Sequence, residues 1–194
     1  MIEGCTAIVM AGGDSSRMGT DKANLTLGDQ TLLQTVAATM QQLFPQVIVS
    51  VRQPRAGIDL PQVCDEQPDG GPLAGLAASL GKITTPWAFM VACDMPFVVP
   101  EVVELLAKYR LQHQAVVPVV HGHPQPLAAF YAASCLGPLR ASLAVQQKSL
   151  RNVLKQLDVR YVDEAEMLEA DPLLRSFFDL DTPQDVAAAR NEVR

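Results

Sequence analysis

Residues 6–33 read "TAIVMAGGDSSRMGTDKANLTLGDQTLL": a β-branched apolar run, a loop with adjacent glycines, and the start of an amphipathic segment. Thr6 to Met10 reads as a strand buried on both faces, because the run is short, continuous and bounded by turn residues. Beyond the loop, "TLLQTVAATMQQLF" sets Leu32, Leu33, Val36, Met40 and Leu43 at helical spacing. Pro45 follows, and then "VIVSV" at 47–51 supplies a second strand, which completes a βαβ unit. The glycine loop therefore lies at the carboxyl edge of a parallel sheet, where open α/β folds bind their ligands.

The rest of the chain repeats this alternation. A short helix is expected over 73–80, a buried strand in "WAFMVAC" (87–93), a helix in "EVVELLAKYRL" starting after Pro100, and strands in "AVVPVV" and "PLAAFY" on either side of a His-Gly-His-Pro turn. Pro118 argues that the first of these two strands is an edge or carries a bulge. Thr182 is placed to cap a last helix, with Pro183 as its first residue and Asp185 near its positive end. The expected fold class is α/β: one Rossmann-like domain over residues 1–194, a mostly parallel central sheet with helices on both faces. With 194 residues and 48% hydrophobic composition the chain is long enough for a single buried core.

Composition narrows the function. A net charge of -6 and the absence of any basic run argue against a nucleic-acid-binding surface. No apolar run approaches the roughly 20 residues that span a bilayer, and the first residues lack a signal-peptide pattern, so a cytoplasmic protein with no membrane partner is expected. Cys5, Cys64, Cys93 and Cys135 are too far apart for a zinc pattern and read as reduced core thiols.

The opening loop has the chemistry of a phosphate cradle. Gly12 and Gly13 let backbone N–H groups approach an anion closely, Arg17 suits bidentate contacts, and Lys22 is a compact point charge. The adjacent glycines break the Gly-x-Gly-x-x-Gly spacing, and Thr20 after Gly19 breaks the P-loop pattern.

"AGGDSSRMGTDK" (11–22) resembles the Ala-Gly-Gly-x-Ser-x-Arg-Met-Gly-x-x-Lys signature of nucleotidyltransferases, and within them most resembles the molybdenum cofactor guanylyltransferases. "DEQPDGGPLAGL" (65–76), "ACDMPFV" (92–98) and "DTPQD" (181–185) are similar to further segments of that family, in the same order. The resemblance implies transfer of GMP from GTP to the phosphate of molybdopterin, with or without molybdenum, and release of pyrophosphate. It also implies magnesium as cofactor and, as partners, proteins that deliver or receive the pterin.

By matching position, Met10, Ala11, Gly12 and Gly13 contact GTP through their backbone, and Arg17 and Lys22 neutralise its phosphates. Asp65 meets the guanine, in a pocket shaped by Gly70, Gly71, Pro72 and Leu73, because a carboxylate can accept from both N1–H and the exocyclic amine. Asp94 ends a buried strand at the ligand edge and is the expected magnesium ligand; with Arg17 and Lys22 it forms the catalytic set. Asp179 and Asp181 alternate in "FFDLDT", which in a strand puts both on one face, and Asp181 is a second candidate ligand. Ser50 stands where the family often has a longer polar residue. His123, Gln125, Lys148, Ser149 and Arg151 are the candidates for binding molybdopterin. Competing readings are a molybdopterin cytidylyltransferase, an enzyme activating a sugar or alditol phosphate, and a silent nucleotide-binding regulator; "AGG" and "GPL" favour guanylyl transfer, and Lys22 with Asp94 favours an active enzyme.

Overall fold

The computed structural model describes residues 1–12, 22–67, 69–180, 185 and 189, with the backbone alone at Lys22. The first apolar run forms β1 (Cys5–Met10), followed by a small hairpin, β2 (Thr26–Leu27) and β3 (Gln30–Thr31). Thr31 then caps α1 (Leu32–Leu43) with a reciprocal box: Gln34 N–H donates to Thr31 Oγ1 at 3.1 Å, and Thr31 N–H donates to Gln34 Oε1 at 2.9 Å. β4 (Gln46–Val51) and β5 (Gln62–Cys64) follow, then α2 (Gly71–Leu80) and β6 (Trp87–Ala92).

α3 (Pro100–Ala107) starts at the proline itself, which occupies the first helical position at no cost in hydrogen bonds, one residue earlier than expected. The helix stops at Ala107, short of the apolar spacing, and residues 110–112 form a 3-10 turn. There follow β7 (Ala115–Val120), β8 (His123–Pro124), β9 (Ala128–Ala132), α4 (Leu136–Ala144), α5 (Leu150–Leu154), β10 (Val159–Val162) and α6 (Glu164–Ala170).

Among the described residues the main sheet runs β10-β7-β9-β6-β1-β4-β5, with β8 added beside β7. β1 pairs in parallel with both β4 and β6, β4 with β5, and β7 with β10, while β9 lies antiparallel between β6 and β7. The fold is mixed α/β with a mostly parallel sheet, and one reversed strand interrupts it. Helices flank the sheet: α1 packs on β1 and β4, α2 on β1, β4 and β5, and α3 on β7 and β9, while α4 packs on α2. A ring cluster of Phe44, Phe89 and Phe130 anchors the core, with Phe89 and Phe130 centroids 4.8 Å apart.

Three expectations change. Pro118 is not in an edge strand, since β7 has neighbours on both sides. The β9 ladder ends at Val116, and beyond it the Pro118 carbonyl accepts from Gln125 N–H at 2.8 Å, so the missing N–H falls at a break in that ladder. Residues 178–180 form no strand, which removes the argument that alternation aligns Asp179 with Asp181. Cys5, Cys93 and Cys135 are buried and form no disulfide, but Cys64 is exposed because β5 is the last strand of the sheet. The expected cap, Thr182 with Pro183, lies outside the described residues; Asp185 and Ala189 are helical, and Ala189 packs near Leu32 and Leu180. Among the described residues no helix is long and apolar enough to cross a membrane.

Candidate active site

The carboxyl ends of β1, β4, β5 and β6, with the first turn of α2, surround a cleft of about 550 Å³. Met10, Ala11 and Gly12 enter it from β1, Arg52 from β4, Asp65 and Asp69 from beyond β5, Asp94 from β6, and Gly71 and Pro72 from α2. Hydrogen bonds carry the ladder past the strand ends: Ala11 N–H donates to the Ser50 carbonyl at 2.8 Å, Cys93 N–H to Met10 at 3.0 Å, and Asp65 N–H to Val51 at 3.0 Å. The first residue of each loop is thereby held as firmly as the strands.

Asp65 sits half-buried in this wall. Burial pushes its carboxyl above the ordinary range, while the Ser50 hydroxyl and the positive charge of Arg52 pull it back. Ser50 is fully buried opposite Met10 in the β1–β4 register, and its Oγ donates to Asp65 Oδ1 at 3.4 Å. It therefore orients the carboxylate and is not exposed to the cleft.

Two glycines let α2 present its N-terminus here. Gly71 has φ of +62°, a left-handed conformation that side chains resist. Gly75 lies where a Cβ would come within 2.5 Å of Met10 Cε, 2.6 Å of Ser50 Oγ and 3.2 Å of Asp65 Oδ1, so its lack of a side chain brings the helix against the Ser50–Asp65 pair. The first N–H groups of α2 have no partner within the helix, and with the helix dipole they favour an acceptor or anion in the cleft. Leu73, expected among the GTP contacts, is fully buried in the core and does not line the cleft.

A second groove, about 330 Å³, adjoins the first. Pro72, Leu127 and Lys148 line both; Gln125, Ser149, Arg151 and Asp179 line the second. Leu127 is present because β9 is reversed: its beginning lies at the edge where the parallel strands end, and the Leu127 carbonyl accepts from Ala92 N–H at 3.0 Å. Asp179 is tied to Asp94 through its neighbour, since Leu180 N–H donates to the Asp94 carbonyl at 2.9 Å. Ser149 Oγ accepts from Asn152 N–H as the cap of α5.

The structure thus brings together Met10, Ala11, Gly12, Asp65, Gly71, Pro72 and Asp94 in one cleft, and Gln125, Lys148, Ser149 and Arg151 in the groove beside it. His123 is exposed on β8 and lines neither. Gly13, Arg17 and Asp181 lie outside the described residues; Lys22 opens a 3-10 turn, Lys22–Asn24, and its side chain lies outside them too. Arg52 and Asp69 were missed. Arg52 carried a usable signal, since it directly follows a strand at the ligand edge. Among the described residues there is no group of three or more His, Cys, Asp or Glu able to hold a metal.

The profile of the MobA-like NTP transferase domain matches residues 7–161. The chain belongs to this family. The transferase is 38% identical over 191 residues to a Chloroflexus aggregans protein named "Probable molybdenum cofactor guanylyltransferase", covering 93% of this chain and 91% of that one. A Pelotomaculum thermopropionicum protein of the same name is 32% identical, covering 95% and 91%. Among solved structures, molybdopterin-guanine dinucleotide biosynthesis protein A from Archaeoglobus fulgidus superposes with a TM-score of 0.86 at 27% identity, over 97% of this chain and 98% of that one. A Thermus thermophilus 2-C-methyl-D-erythritol 4-phosphate cytidylyltransferase, at 17% identity and a TM-score of 0.71, shares the fold.

Proposed function

We propose that this nucleotidyltransferase transfers GMP from GTP to the terminal phosphate of molybdopterin, yielding the guanine dinucleotide and pyrophosphate. The observation that carries the reading is the pair of contiguous grooves, one with a half-buried carboxylate and a helix N-terminus, the other with cationic and amide donors. An acceptor phosphate oxygen bonds to the α-phosphorus as the bond to the bridging oxygen breaks, and pyrophosphate leaves with the electron pair. No protein nucleophile is needed; positioning and charge neutralisation carry the step. Asp65 accepts from guanine N1–H and its exocyclic amine. Gly12, Gly13 and the α2 N-terminus are the proposed backbone donors, and Arg17 and Lys22 the proposed residues that neutralise the phosphates.

Magnesium fits the donor set. Asp94 provides a carboxylate in the cleft, Asp179 stands on the adjoining wall, and a magnesium ion characteristically takes one or two carboxylates and completes its shell with phosphate oxygens and water. When bound, the ion neutralises charge on the triphosphate. Asp181 is retained as a second candidate ligand. The cytoplasm, where GTP is held, is the proposed compartment, and proteins that carry the pterin are the proposed partners.

The test is incubation with molybdopterin, magnesium and each of ATP, GTP, CTP and UTP, with products identified by mass. A guanine dinucleotide with matching pyrophosphate is expected. A cytosine dinucleotide, or none, overturns the reading.

A further inference from the structure

Two anionic groups must touch for this transfer to occur: the α-phosphate of the nucleotide and the phosphate of the acceptor. Their meeting point is where the two grooves join. Three residues line both grooves, and of these Pro72 and Leu127 are apolar, leaving Lys148 with the charge. The described lining of the nucleotide cleft holds three carboxylates, Asp65, Asp69 and Asp94, against two cations, Arg52 and Lys148. Arg52 acts on Asp65, toward the base, and Arg151 lines only the acceptor groove.

The chain on both sides of Lys148 is fixed. Gln147 N–H donates to the Ser142 carbonyl at 2.9 Å, Ser149 N–H donates to Gln147 Oε1 at 3.0 Å, and Ser149 caps α5. The Lys148 side chain itself is exposed. A flexible four-carbon stem on a rigid base, bearing a compact charge with three donors, suits a group that must follow a phosphorus atom moving between two oxygens.

We propose that Lys148 is a catalytic residue of the transfer, its ammonium contacting the α-phosphate and the acceptor phosphate together as the new phosphorus–oxygen bond forms. The inference rests on the proposed transferase reading. Lys148 stays protonated throughout: it donates hydrogen bonds to the oxygens on which negative charge concentrates, and no proton is transferred.

The experiment compares wild type, Lys148→Met and Lys148→Arg in steady-state transfer from GTP to molybdopterin. GTP Kd is measured without acceptor, and thermal unfolding is recorded. Lys148→Met is expected to keep its melting temperature and lose about 10- to 100-fold in kcat, the range for one charge-assisted contact. GTP Kd should change much less than kcat, and Lys148→Arg should recover most of the rate. Full kcat in Lys148→Met overturns the proposal, as does a loss confined to acceptor KM, which would make Lys148 a binding residue alone. If wild type makes no dinucleotide from any nucleotide, the transferase reading falls and this proposal with it; wild-type transfer with an undisturbed Lys148→Met variant sinks this proposal alone.

Discussion

At the scale of single residues, Asp65 carries opposed demands. Burial raises its carboxyl, yet the proposed reading of guanine requires the carboxylate, and Ser50 and Arg52 favour that form. A carboxyl raised on folding binds protons more tightly in the folded chain, so it costs stability as pH climbs through the carboxylate range. Asp65→Asn should therefore melt higher than wild type at pH 7, with the difference vanishing in acid below the unfolded carboxyl's range; melting curves from pH 3 to 8 check this. The same variant should lose preference for GTP over CTP by roughly 1 to 3 kcal/mol, because an amide cannot accept from both guanine donors. An unchanged ratio of catalytic efficiencies would assign base reading to the backbone of α2. Ser50→Ala removes the donor and lets the Asp65 carboxyl rise further, so its KM for GTP should climb in mildly acidic buffer at a higher pH than in wild type. Asp94→Ala should fold normally, since the bond from Leu180 goes to its backbone carbonyl, while turnover drops by about two orders of magnitude or more, the effect of several kcal/mol of lost charge stabilisation.

Among elements, α2 decides how the pocket around Asp65 forms. A side chain at position 75 meets Met10 Cε and Ser50 Oγ inside van der Waals contact, so Gly75→Val should cost about 1 to 3 kcal/mol of overpacking and displace the Ser50 hydroxyl from Asp65. The combined signature is a lower melting temperature with a weaker GTP Kd; a normal Kd would show that the Ser50–Asp65 pair tolerates the helix moving out. Elements of this kind differ in how plainly the chain announces them. β1, β4, β6 and α1 were legible because their burial is continuous or periodic over several residues, and the loops after them inherited the right edge of the sheet. α5, β10 and α6 escaped notice because they are short and partly exposed, with patterns that do not repeat long enough to be recognised. The segment around Asp179 misled for a different reason: alternation of two aspartates looks like a strand, but 178–180 form none, and the Leu180 N–H donates to the Asp94 carbonyl. Ser50 was visible as a residue at the right strand end; its burial behind Asp65 depends on packing by α2, which no local pattern records.

Across the whole molecule, the reversed β9 has a consequence for how such an enzyme can change over time. Because β9 begins at the ligand edge, the cleft proposed for the nucleotide is lined mostly by residues before 95, and the groove proposed for the acceptor mostly by residues after 124. Donor chemistry and acceptor choice thus occupy consecutive stretches of the chain, joined across a few shared positions. A recombination event anywhere between Asp94 and Gln125 would exchange most of one lining and leave most of the other in place. A chimera carrying residues 121–151 of a distant family member, with Lys148 kept, should retain GTP Kd and alter the acceptor it modifies. Titration with GTP and a screen of phosphorylated acceptors would show whether new substrates can be acquired by inheriting half a gene.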